Sequence, residues 1–100
     1  MRGSTHIGAK LQEATLLRSD MKEANLQHAK LCEADLQFAD MRGAYLDYAD
    51  LQGSDLRDAN LEGVKINALT LWRGAKYNQN TNFGQLDITK DQWESMVYED

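Results

Sequence analysis

The sequence predicts an all-β solenoid, a chain wound as a coil around its own side chains. Two observations carry this. Thirteen consecutive five-residue units run from Ala9 to Arg73, centred on Leu11, Leu16, Met21, Leu26, Leu31, Leu36, Met41, Leu46, Leu51, Leu56, Leu61, Ile66 and Leu71. Two residues before each centre stands a small residue, mostly alanine, with Ser19, Ser54, Val64 and Leu69 as the exceptions. The Ala, Leu, Glu and Lys content favours helix by propensity alone, but the period opposes it. Five residues advance about 500° around a helix, so successive centres fall about 140° apart and leave no apolar stripe. Strand geometry alternates with period two. A small residue, a polar one and a large one then read in, out, in, and the remaining two turn a corner. Gly43, Gly53 and Gly63 recur at the last place of a unit, where that corner falls.

The runs AKLQE, ANLQH, ADLQF, ADMRG, ADLQG and ANLEG resemble the pentapeptide-repeat family, whose unit is a small residue, Asp or Asn, Leu or Phe, and two polar residues. The resemblance covers residues 9–73. It implies a right-handed quadrilateral β-helix, one unit per side and twenty residues per coil, hence about three coils here. Side chains at i and i+20 then stack at the inter-strand spacing of about 4.8 Å. The inner columns become Leu11, Leu31, Leu51, Leu71; Leu16, Leu36, Leu56; Met21, Met41, Leu61; and Leu26, Leu46, Ile66. The two methionines share one column.

Three segments follow. Residues 1–8 read as a tag-like or flexible leader: Met-Arg-Gly-Ser resembles an expression-vector start, and Ile7 is the aliphatic residue that follows it. Residues 9–73 form the repeat. Residues 74–100 form a capping segment, its stretch Gly74–Phe83 resembling the C-terminal part of small family members. A coil needs covered ends, because its last turn exposes both core and strand edge. Thr89 with Gln92 three residues on is a capping-box pattern. Trp93, Met96 and Val97 share a helical face, so a short helix is expected near 90–98, with Trp93 laid on the last coil and Trp72, Tyr77, Phe83 and Leu86 beside it. The N-terminal coil has no comparable cover; the expected covers are a second subunit, by self-association, a preceding segment, or Ile7 and His6 folded over the edge.

The outer columns supply the candidate interaction surface. Asp35 stacks on Asp55 and Asp20 on Asp40; like charges placed so oppose each other, and the adjacent Lys22 and Arg42 partly neutralise the second pair. His28 stacks on Tyr48, and aromatic side chains that face outward can anchor a partner. Asp20, Asp35, Asp40, Asp55, His28 and Tyr48 are therefore the residues expected to meet an unknown protein partner.

Composition bounds the rest. The formal charge is −5, from 16 acidic and 11 basic side chains, which disfavours nucleic acid as a partner. Cys32 is the single cysteine, so no internal disulfide and no Cys-based metal signature exist. No cofactor, catalytic or metal-binding residue is expected, and the coil, filled by its own side chains, leaves no substrate cavity. No apolar run is long enough for membrane insertion. The address expected is the cytoplasm, or the periplasm or thylakoid lumen if a leader has been removed. The sequence reads as a non-enzymatic structural or protein-interaction module, and the resemblance implies a small member of the kind typical of cyanobacteria. The alternative comes from the resemblance: some family members imitate duplex DNA and inhibit type II topoisomerases. Against it, residues 9–73 carry eleven acidic but also eight basic side chains.

Overall fold

The five-residue unit closes a corner because its fourth and fifth residues form a tight turn. In each regular unit the small residue of the next unit donates its N–H to the carbonyl of the aliphatic centre, as Ala34 does to Leu31 at 3.1 Å. The fifth residue lies near φ +60° whether it is glycine or not: Glu13, Arg18, Glu23, His28, Glu33, Phe38, Tyr48 and Asp58 all do so. A positive φ at the second central position is the type II turn, which glycine fits without strain. Four such turns bring the chain round by twenty residues.

The computed structural model describes residues 1–99; Asp100, last of the expected C-terminal segment, lies outside them. Parallel bridges join each side to the one above. The outward columns are Thr5–Asn25–Tyr45–Lys65, Lys10–Lys30–Asp50–Leu71, Thr15–Asp35–Asp55–Lys76 and Asp20–Asp40–Asn60–Asn82. Inside, Met21, Leu26, Leu31, Leu36, Met41, Leu46, Leu51, Leu56 and Leu61 are wholly buried, with alanines between them.

Residues 1–8, expected as a leader, wind with the coil. Gly3, His6 and Gly8 donate N–H to the carbonyls of Lys22, Asn25 and Gln27 at 2.7–2.9 Å. Thr5 bridges Asn25. Ser4-Thr5-His6-Ile7-Gly8 is itself a five-residue unit with a histidine at its centre, and that polar centre hid it.

The expected register fails after Ile66. Bridges run i to i+20 as far as Tyr45–Lys65, then Asp50 pairs with Leu71, Asp55 with Lys76, and Asn60 with Asn82. One extra residue enters at 66–71 and another at 77–82. Trp72, not Leu71, therefore enters the core, where it is 1% exposed; Leu71 turns outward, and Thr70 takes the buried small-residue position expected for Leu69. Both six-residue units share an Asn-x-x-Thr run. Asn67 accepts the N–H of Leu69, and Thr70 donates its hydroxyl to the Leu46 carbonyl; Asn78 and Thr81 repeat this with Asn80 and Leu56. Their turn residues, Ala68–Leu69 and Gln79–Asn80, need no positive φ. Such turns are type I, where Asn is favoured at the first position.

β1 (Lys76–Tyr77) lies at the start of the second six-residue unit. α1 spans Lys90–Ser95, shorter than the 90–98 expected, with Thr89 as N-cap accepting from the Gln92 N–H. Met96 and Val97 lie beyond it, because Val97–Tyr98 extends as β2 and pairs in parallel with β1. A β-branched and an aromatic residue suit an open strand edge better than a helix's last turn. Met96 is buried under the coil. Trp93 rests on Phe83 and Tyr77, ring centroids 4.9 and 5.3 Å away. Gln92 ties α1 to the coil by accepting the Trp72 N–H and donating to the Thr70 carbonyl. No helix of the described residues is long and apolar enough to cross a membrane.

Candidate functional site

Each outward aspartate precedes its aliphatic centre by one residue, and the side chain two positions further on points to the same face. That spacing decides how the acidic columns behave. The carboxylate accepts the backbone N–H two residues on, at 3.1–3.3 Å for Asp20, Asp35, Asp40 and Asp55. This local ring holds each carboxylate against the coil. The side chain two residues on then decides its charge balance.

Asp40 is held bidentately by Arg42, at 2.9 and 2.7 Å, and Lys22 Nζ stands 3.4 Å from it and 3.9 Å from Asp20. The side-chain hydrogen bond from Arg42 brings the Asp40 pKa down to about 2, against partial desolvation. Arg57 grips Asp55 in the same fork at 2.9 and 2.6 Å and reaches Glu99 at 3.8 Å. Burial pushes the Asp55 carboxyl up, but the hydrogen bonds from Arg57 outweigh it and hold the group below its usual range. Asp35 takes the Gln37 carboxamide at 3.1 Å. The stacked pairs Asp20–Asp40 and Asp35–Asp55 thus exist as expected, on two adjacent sides, but Asp40 and Asp55 are already neutralised. The Asp55-x-Arg57 spacing carries the same signal as Asp40-x-Arg42, and sequence reasoning used only the second.

His28 and Tyr48 occupy turn positions at a different corner. Their rings lie 4.5 Å apart and 4° from parallel. Tyr48 is 47% exposed, and Leu69, in the turn above it, is 62% exposed. The turn is set there by Asn67, whose carboxamide oxygen accepts both the Tyr48 and the Leu69 N–H at 3.1 Å. Lys65 covers the ring of Tyr45 on the neighbouring side at 4.5 Å. Leu69 is the exposed aliphatic residue that the five-residue reading placed inside; the repeated Asn-x-x-Thr was the signal of its turn outward. At the diagonally opposite corner Arg18 lies over Phe38 at 4.4 Å. Cys32 is half-buried and unbridged. Among the described residues no group of His, Cys, Asp or Glu is placed to hold a metal ion.

Comparisons with known proteins agree with this geometry. The family profile described as Pentapeptide repeats matches in 8 copies, over residues 7–37 and 24–63. No curated protein matches. Among solved structures, alr5209 of Nostoc PCC 7120, a pentapeptide repeat protein, is 28% identical at a TM-score of 0.67, covering 98% of this chain and 86% of its own. Rfr23 of the cyanobacterium Cyanothece 51142 is 30% identical at a TM-score of 0.72; 95% of this chain is covered, spanning 63% of Rfr23. HetL of Nostoc sp. PCC 7120, involved in heterocyst differentiation regulation, is 35% identical over 71% of this chain and 37% of its own, at a TM-score of 0.36. Proteins of this kind wind as right-handed quadrilateral β-helices and are generally structural rather than enzymatic. With more than half its residues under the profile and its corners, columns and core as described, the chain belongs to the pentapeptide-repeat family.

Proposed function

We propose that the chain is a non-enzymatic display rod that meets a protein partner through the corner carrying His28, Tyr48 and Leu69. One observation supports this above the others: rings held parallel by the backbone spacing, beside an aliphatic side chain left 62% exposed, form the ordered apolar surface that anchors contacts. The aspartates Asp20 and Asp35 form a secondary, polar contact strip. The helix α1 and strand β2 serve as cover for the last turn, keeping the rod from extending at that end.

DNA mimicry is the weaker reading. A phosphate-like array needs unpaired charge, and Arg42 and Arg57 cancel half of the stacked carboxylates in place. The test uses bait from the purified chain in extract of its source cells. The partner should be retained by the Asp20→Asn, Asp35→Asn, Asp40→Asn, Asp55→Asn variant and lost with His28→Ala, Tyr48→Ala, Leu69→Ser. Loss only with the first variant would move the site to the acidic sides. Inhibition of gyrase supercoiling at micromolar protein would restore the mimic.

A further inference from the structure

The corner bearing His28, Tyr48 and Leu69 opens onto one side of the tube whose charge is not balanced in place. The outward column of that side is Lys10, Lys30, Asp50 and Leu71, and Arg73 follows Leu71 two residues on. Lys10, Lys30 and Arg73 are all exposed. On the other sides and corners Lys22, Arg42 and Arg57 are tied to aspartates, and Arg18 and Lys65 lie over aromatic rings. Among the described residues no carboxylate pairs with the three cations here. Gln12 and Cys32, two places after the lysines, bring no acid to them, and Asp50 accepts both the backbone and the side-chain N–H of Gln52 at 3.1 Å. Lys10 thus stacks directly on Lys30, a like-charge pair that costs stability. An anion laid across the two removes that cost. The same side is apolar at its other end. The residue inserted at 66–71 turns two leucines outward in succession, Leu69 at the corner, 62% exposed, and Leu71 on the side, 38% exposed. Leu71 and Arg73 continue into a groove of about 490 Å³ bounded by Gln92 and Ser95 of α1.

We propose that this side receives a short acidic segment of a partner protein, extended along the tube axis and ending in a bulky apolar residue. Its carboxylates lie on Lys10 and Lys30. Its apolar end covers Leu69 and Leu71 and enters the groove beside Arg73. From Lys10 to Leu71 is three coil spacings, about 14 Å at about 4.8 Å each, and about five extended residues cover that length. The inference rests on the partner corner proposed above and supplies the chemistry of what binds there. A broad anionic surface, such as a membrane or a nucleic-acid duplex, fits less well. Glu13 and Glu33 stand exposed at the turns along the far corner of the same side, and the chain as a whole carries a charge of −5. Only a narrow ligand meets the cations without also meeting the acids. The contact is smaller than a standard interface and is therefore transient.

The experiment is fluorescence anisotropy of the full chain with the labelled peptide Glu-Asp-Glu-Asp-Phe, beside its Gln-Asn-Gln-Asn-Phe and Glu-Asp-Glu-Asp-Ser counterparts. The first should bind with a Kd of about 0.1 mM, weakening about tenfold as salt is raised to about 0.5 M; the other two should bind more weakly. Lys30→Glu should weaken the first peptide about five-fold. Arg18→Glu, the same charge change at the corner farthest from this side, should weaken it less than about two-fold. Leu71→Ser should cost the Phe-ended peptide about five-fold and leave the Ser-ended one unchanged. All these side chains point outward, so the circular dichroism spectrum should stay that of the wild type. Tyr48→Ala reads the corner separately. Loss there with none from Lys30→Glu keeps the corner and overturns this strip; loss from Lys30→Glu alone keeps the strip and overturns the corner. No peptide binding, equal losses from Lys30→Glu and Arg18→Glu, or tighter binding to phosphatidylserine vesicles or duplex DNA than to the acidic peptide overturns the inference.

Discussion

Replacing Trp72 tests the shifted register, because the uninterrupted five-residue reading and the structure disagree on which of two adjacent side chains is inside. Trp72 is 1% exposed, with Phe83 edge-on at 6.5 Å. A buried tryptophan removes about 200 Å² from water, worth about 5 kcal/mol at 25 cal/mol per Å². Truncations of this size cost about 3–5 kcal/mol, so Trp72→Ala should cost about 4 kcal/mol. For a domain of this length that is a fall in Tm of roughly 15–30 °C. Leu71→Ser, at an outward position, should stay within about 0.5 kcal/mol. Thermal and urea unfolding followed by far-ultraviolet circular dichroism measure both. The uninterrupted register requires the reverse order, with Leu71 costly and Trp72 tolerant. A Leu71→Ser loss equal to that of Trp72→Ala would refute the inserted residue and with it the placement of everything from Thr70 onward.

Asn67→Ala removes the acceptor of the Tyr48 N–H and the Leu69 N–H. It should cost about 1–3 kcal/mol, and Asn78→Ala, which strands the Asp58 N–H, should match it in the same unfolding assay. Gly63→Ala meets no close atom and pays only for its positive φ, about 1 kcal/mol. Gly84→Ala should cost more, because the new carbon would stand 3.2 Å from the Glu62 Cα, which is backbone and yields little. The Asp40 carboxyl titrates near 2 when folded against 3.8 unfolded. Its folded pKa is depressed, so its contribution is complete above about pH 4 and lost as pH falls towards 2. Asp40→Asn should flatten the acid limb of a stability–pH curve in that window and leave the neutral plateau's slope alone.

Period five was enough to read the core from Leu11 to Leu61, because each unit there obeys one local rule. A small residue fits the inner side of the corner, a large one fills the tube, and a turn follows. What escaped were the places where a different local chemistry reaches the same geometry. His6 is a polar centre, so the apolar pattern skipped a unit whose backbone pairs like any other. Asn67 and Asn78 are more instructive. In a regular unit the fifth residue's N–H is met from the coil above by a backbone carbonyl, as that of His28 is by Asp47 at 3.0 Å. At Tyr48 and Asp58 an asparagine carboxamide takes the carbonyl's place at 3.1 Å. The main chain is thereby released to spend one more residue on a type I turn. The ladder stays intact while the sequence slips by one, which no count of aliphatic spacings can register. The same slip pushes Leu69 outward above Tyr48. The corner proposed as the contact site is thus made by the very units in which the repeat is least regular, and a search for function in such a chain should begin where its period breaks.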